Sequence, residues 1–282
     1  MRPEWLLGPQ SLTWHMTKER ALLVGGGRAL MLQACHEMVG AGVHQHSAFQ
    51  TDPWRRLRRT SDFYLSLVYA KQSDIPALNQ WLDRAHQGVQ GKSPSGKTYH
   101  ANQIDLMLWV QATLADSVAW AWQQIWGPLR DDQLERYWQE QKIIGQAIGV
   151  QMQDLPEEWP GFQQWMKEQS QGLSKTPAGE AVMSHLQDLP VALPGIPSLL
   201  WDASLPLSRS LSRQAIAAGL PEHLREQFDL SWGPAEQKRW EQTCRRLGMV
   251  LKITPPPLKH SHHARRALKT HGSPIERGEF QP

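Results

Sequence analysis

The sequence predicts an all-α protein built as a single large helical domain. Three observations point there. Apolar residues recur with a 3.6-residue period along nearly every segment. Alternating runs of Val, Ile and Thr, the mark of strands, are scarce. Breaks containing proline or glycine mark where several of the helical patterns stop.

Thr17-Lys-Glu-Arg20 reads as a helix start, and Ala21–Val39 as the helix it opens. Asp52-Pro53 opens the next, with proline at its first position, and the pattern runs to about Ala70. A third helix covers Asp74–Gln90. Gly91–Tyr99 (GKSPSGKTY) is a loop, dense in Gly, Ser and Pro. Gln103–Trp126 is a long helix ended by Gly127-Pro128. Asp131–Gly149 follows, and its two leading carboxylates favour the helix dipole. Shorter helices cover Trp159–Gln171, Pro177–Gln187, Leu199–Ala218, Pro221–Phe228 and Pro234–Lys252, the last stopped by Pro255–Pro257. A basic helix, His262–Thr270, closes the pattern. This organisation divides the chain into an N-terminal extension (1–16), a helical domain (17–270) and a disordered tail (271–282). The proline-rich stretch 189–197 marks a boundary between two lobes of one core.

A chain of 282 residues holds one large domain or two small ones with a sizeable core. A net charge of only +3 gives no support to general nucleic-acid binding, and no recognition motif accompanies the basic residues. Fourteen tryptophans suit a large aromatic core or a pocket for a flat, greasy ligand; core packing is the simpler reading for most of them. Cys35 and Cys244 allow one long-range bridge but no disulfide framework, which favours a reducing compartment. The first sixteen residues lack the apolar stretch of a signal peptide. The greasiest helix, Ile104–Trp126, carries Asp105, Gln111 and Asp116, which argues against spanning a bilayer. The expectation is therefore a cytoplasmic protein, with peripheral contact to a membrane surface left open.

Several clusters carry chemistry. Gly25-Gly26-Gly27 interrupt a helical pattern, where each glycine costs about 0.8–1 kcal/mol against alanine. Close approach of another helix or of a flat cofactor would compensate; a phosphate-binding turn is disfavoured, because no strand or phosphate-loop pattern is present. Arg55-Arg56-Leu57-Arg58-Arg59 alone reads as a solvated basic face or a phosphate patch. His86, near a helix end, reads alone as a surface or capping residue. His36, Glu37, His44 and His46 offer zinc donors, although at no common zinc spacing.

In combination these stretches resemble a known family. The run from Leu22 to Thr60 joins three glycines, an HxHSxF segment, a DPW break and an Arg-rich helix start ending in threonine, and RAHQGVQG follows. It resembles the haem-dependent oxygenases that include bacterial latex-clearing protein and the fungal mpaB-type oxygenase. The resemblance extends over roughly Trp14 to Ala267, with further matches at Trp109–Asp116, Thr176-Pro-Ala178, Leu220–Arg225 and His260–Ala267. It implies a globin-like, haem-binding helical core with haem b as cofactor and His86 as the axial iron ligand. It also implies that Gly26, Gly27 and Gln111 lie near the cofactor and that Arg56, Arg59 and Thr60 serve catalysis. Arg56 and Thr60, four apart, share a helix face. The rubber-degrading relatives place a lysine ligand where this chain has Arg59, and a guanidinium cannot ligate iron. An open or water-filled distal side is the expectation, with Arg56 or Arg59 polarising dioxygen.

Two departures stand out. Members usually carry histidine where Gln111 stands, and glutamine has no useful pKa. Gln90 occupies a position where arginine is frequent. Asp116 is retained, as an anchor for one of the arginines of the Arg-rich helix or as an ordinary buried ion pair. The resemblance thus implies an oxygenase acting on an apolar substrate, isoprenoid or lipid, with dioxygen as co-substrate. A catalytically degenerate haem- or lipid-binding module is the alternative. A scaffold whose arginines meet acidic partners or anionic lipid heads is a third reading.

Overall fold

The computed structural model describes residues 4–46, 53–188 and 198–271. Among them the chain forms fourteen α-helices and one two-stranded sheet, so the all-α expectation holds. The helices are α1 (Leu12–Thr17), α2 (Leu23–Ala34), α3 (Glu37–His46), α4 (Pro53–Val68) and α5 (Ile75–His86). The hairpin β1 (Gln90–Lys92) and β2 (Thr98–His100) comes next. Then follow α6 (Ile104–Trp126), α7 (Asp131–Ala147), α8 (Trp159–Gln171), α9 (Pro177–Asp188) and α10 (Ser198–Gly219). The chain ends with α11 (Glu222–Gln227), α12 (Pro234–Ile253), α13 (Pro256–Lys259) and α14 (His262–His271). The lobe boundary at 189–197 and the tail beyond residue 271 lie outside the described residues.

Three stretches differ from the sequence-based expectation. Thr17 closes a helix instead of opening one. The carboxylate of Glu140 accepts from the N–H groups of Leu12 and Thr13 at 2.9 and 2.7 Å, so a negative charge sits on the first turn of α1. That helix, lying in the stretch read as an N-terminal extension, buries Trp14 and Met16 completely. The predicted helix Ala21–Val39 is two helices. The carbonyl of Ala34 accepts from the Thr176 hydroxyl at 2.6 Å and that of Cys35 from the Ser174 N–H at 3.2 Å, so both leave the helical ladder. The chain then turns so sharply that a Cβ on Gly40 would lie 2.3 Å from the Ala34 carbonyl oxygen. The predicted loop Gly91–Tyr99 is the hairpin, with Gly91 opposite Tyr99 and Gly96 at positive φ in its turn.

α6 is the axis of the core, with thirteen buried residues, among them Ala112, Ala115, Ala119 and Ala121. Small side chains there let α2 approach closely. A Cβ on Gly25 would meet the Ser117 carbonyl oxygen at 2.5 Å, so this glycine is required by backbone contact. Arg28, one turn on, donates to Ser117 Oγ at 2.9 Å and to the Gly219 carbonyl at 2.8 Å, and pairs with Asp116 at 2.6 Å. The partner of Asp116 is therefore Arg28 of α2, so of the two readings of Asp116 the structure shows the ordinary buried ion pair. The tryptophans mostly fill the core: Trp138 stacks on Phe162 with centroids 3.9 Å apart, and Trp120 lies parallel to Trp240 at 6.0 Å. Cys35 and Cys244 are separate buried thiols, and burial pushes both up to about 12.

Candidate active site

α3, α4, α5 and α6 enclose a cavity of about 450 Å³, within the usual size range of small-molecule sites. Each helix contributes one stripe. On α3 it is Met38, Val39, Gly42, Val43 and His46; on α4 it is Arg59, Thr60, Phe63, Tyr64 and Leu67. On α6 it is Leu106, Met107, Val110, Gln111 and Leu114. All three follow the spacing i, i+1, i+4, i+5, i+8, which is one helix face. α5 adds Trp81, Leu82, Ala85 and His86 at the start of the same spacing.

Four of the residues singled out in the sequence thus meet in one space: His86, Arg59, Thr60 and Gln111. Arg56 lies in α4 one turn before Thr60, and its side chain is outside the described residues. Gly26 and Gly27 do not line the cavity. A Cβ on Gly27 would touch Leu186 and Ile216 at 3.6 to 3.9 Å, so this glycine faces the packing between α2, α9 and α10.

His86 is the last residue of α5. Gly88, at φ 79°, turns the chain away into the hairpin, and the chain returns along β2 to Asn102. There Asn102 Oδ1 lies 2.7 Å from His86 Nδ1. With Nδ1 donating to that oxygen, the neutral ring carries its lone pair on Nε2. This is the tautomer of an imidazole that ligates a metal through Nε2 while its other nitrogen is held from behind.

Further polar side chains line the cavity. Arg59, exposed at the rim, sets its guanidinium 5.5 Å from the centroid of Trp81, which stacks on Phe63 at 5.0 Å. Deeper in, Gln111 is only 2 % exposed, and its amide nitrogen has no hydrogen-bond partner. A buried donor left unmatched costs about 1–3 kcal/mol, so this amide is the cavity's candidate donor to an acceptor. Tyr64 donates to Gln141 Oε1 at 3.0 Å, and burial raises its phenol well above the ordinary range.

The sequence did not single out Asn102, Trp81 or Tyr64. The stripe spacing on each helix was the signal for the latter two; Asn102 acts across a hairpin and leaves no local pattern. Among the described residues Trp81 is the one tryptophan in the cavity lining, while Trp14, Trp138 and Trp240 are fully buried in the core. His36, Glu37, His44 and His46 do not gather as metal donors among the described residues. Glu37 instead accepts from the Ser93 hydroxyl at 2.6 Å, which leads the contacts that hold its carboxyl down at about 2. Donor atoms of Asp62, His262 and His263 do gather, within 4.8 Å of one another, where α14 crosses α4. His263 Nε2 lies 3.3 Å from Asp62 Oδ1 and ties the two helices together.

The family model described as ER-bound oxygenase mpaB/B'/Rubber oxygenase, catalytic domain, matches residues 13–249. Over 121 residues the chain is 26% identical to an uncharacterised protein of Mycobacterium tuberculosis, and equally to one of Mycobacterium bovis. The aligned stretch is 43% of this chain and 48% of each relative, so the chain spans about half the length of the curated relatives it matches. No solved structure matches the chain. None of the helices in the described residues is long and apolar enough to cross a membrane.

Proposed function

Because the chain belongs to the family of the mpaB/B′ and rubber oxygenase catalytic domain, we propose that it is a haem b-dependent oxygenase acting on an apolar substrate, an isoprenoid or lipid. The observation that carries this reading is the convergence of His86, Arg59, Thr60 and Gln111 on one cavity. The residues fit an iron porphyrin. His86 offers Nε2 with its Nδ1 held by Asn102. Val43, Phe63, Leu82, Val110 and Leu114 give the apolar walls that a macrocycle needs, and the unmatched amide of Gln111 awaits an acceptor.

Haem, when bound, supplies the one-electron chemistry that side chains lack. The protein does the rest. Asn102 fixes the plane and tautomer of His86. Trp81 and Phe63 hold the Arg59 guanidinium at the rim, where its fixed positive charge would favour an oxygen ligand that carries negative charge. The Thr60 hydroxyl, on the same face as Arg59, donates or accepts as the oxygen atom requires. Gln111 Nε2 donates to an oxygen without supplying a proton. The apolar lining keeps water out and positions a substrate with few polar atoms.

The test is an absorbance spectrum of protein expressed with a haem precursor. The wild type shows a Soret band, and His86→Ala, folded by circular dichroism, loses it. A wild type without the band after haem supplementation overturns the reading. The glutamine in the cavity favours one second reading, a haem- or lipid-binding module without turnover, since Gln111 cannot exchange protons. Oxygen uptake with formation of an oxygenated product from an unsaturated terpenoid separates the two.

A further inference from the structure

The geometry points to the C-terminal end of α12, with α13 folded against it, as a docking surface for anionic lipid. Four large apolar side chains stand in solvent there: Ile253 at 83% exposure, Leu258 at 66%, and Met249 and Val250 at 56% each. Apolar groups so exposed and so close in sequence form a patch that needs a partner.

The patch is fixed in place. Arg245, Arg246, Met249, Val250 and Ile253 follow the spacing i, i+1, i+4, i+5, i+8 and share the exposed face of α12. The opposite face cannot rotate outward. Cys244 and Gly248 are buried there, and a Cβ on Gly248 would lie 2.7 Å from the Ile125 carbonyl oxygen. Lys259 Nζ donates to the Leu251 carbonyl at 3.2 Å, which brings α13 back and keeps Leu258 at the same tip.

Charge selects the occupant. From Gln242 to Ile275 the chain carries seven Lys or Arg and no Asp or Glu. Along α12 the order is arginines first, then apolar residues. Arg245 lies about 12 Å behind Ile253 along the helix axis, at 1.5 Å per residue. Apolar groups at interfacial sites sink about 5–10 Å below the headgroups, which leaves the arginines at headgroup level when the tip enters first. A symmetric contact between two copies would set this basic collar against itself, so a second copy is a poor fit. The patch sits at and beyond the end of the stretch that the family model matches, 13–249, so it is read from this chain alone. It does not depend on what fills the cavity.

The experiment is co-sedimentation of the full chain with vesicles of phosphatidylcholine alone or mixed with phosphatidylserine. Binding is expected at least tenfold tighter to the mixed vesicles, and lost at high salt. Ile253→Asp and Leu258→Asp each weaken it at least tenfold. Arg245→Glu with Arg246→Glu weakens it more than 25-fold, since each basic residue near such a surface contributes about fivefold. Leu207→Asp, an exposed apolar site on α10, leaves binding unchanged. A second readout does not rely on lost binding: an environment-sensitive fluorophore on Ile253→Cys shifts to the blue with mixed vesicles. Equal binding to both vesicle types overturns the proposal, as do unaffected Ile253→Asp and Leu258→Asp variants. Self-association in the absence of lipid that Ile253→Asp abolishes overturns it in favour of a second copy.

Discussion

Single side chains decide several measurable properties. Arg28 offsets the charge of Asp116 in a nearly dry environment, and Gln163 Nε2 adds a further hydrogen bond to that carboxylate at 2.7 Å. Arg28→Ala strands the carboxylate, and chemical denaturation should show a loss of about 3 kcal/mol. His15 behaves differently. Burial first, and the Lys18 ammonium second, bring its imidazole down from 6.5 to about 4. Above pH 6.5 the ring is neutral folded or unfolded. Between pH 6.5 and 4 the unfolded chain takes the proton more readily, so stability falls across that window and the contribution levels off below it. His15→Asn should remove about 2 kcal/mol of the stability lost between pH 7 and pH 5, seen in urea titrations at pH 7, 6 and 5. Asn102→Leu removes the group behind His86; under the proposed haem-binding function, haem retention would weaken about 10–100-fold with the fold intact. The residues of the cavity differ in how far the sequence exposed them. His86, Arg59, Thr60 and Gln111 were readable through the family resemblance, because each sits in a short stretch whose order and spacing match it; alone, His86 reads as a surface residue and the arginines as a solvated face. Asn102 was not, since its contact with His86 arises only when the hairpin closes.

Helices show the same contrast between local pattern and distant contact. The ends of α8 are set by signals inside the sequence, a proline in its first turn and the glycine that follows it, and its limits match the expectation. The break between α2 and α3 is set from 140 residues away by Thr176 and Ser174, so the apolar period of Ala21–Val39 ran through it unmarked. The hairpin was hidden because its strands are three residues long and pair a glycine with a tyrosine. The glycine triplet divides in its consequences. Gly25→Ala drives a methyl into the Ser117 carbonyl, 2.5 Å away, and the backbone must shift; a loss of about 1–3 kcal/mol is expected. Gly27→Ala meets Leu186 and Ile216 at ordinary contact distance and should gain up to about 1 kcal/mol from helix propensity. Thermal melts of the two variants, moving in opposite directions, check this.

For the molecule as a whole, the described core consists of a large cluster around α2, α6, α7 and α8 and a smaller one that joins α1, α4 and α14 through Trp14, Tyr64, Leu67, Ala264 and Ala267. Ala264 is 1% exposed, and the Ser261 N–H donates to the Lys18 carbonyl at 2.7 Å. The C-terminal helix is therefore structural, and removing residues 260–282 should lower the melting temperature by several degrees and expose Trp14 to quenchers. α5 stands apart from this solidity. It supplies His86, yet not one of its twelve residues is fully buried. Its detachment therefore sacrifices little apolar contact, while the buried face of α6 meets water only when the whole domain unfolds. For the flat cofactor proposed above, the wall that carries the imidazole would double as the door: sub-global opening of that one helix would admit it, and deuterium uptake at the α5 amides should run far ahead of α6 until the ligand is seated.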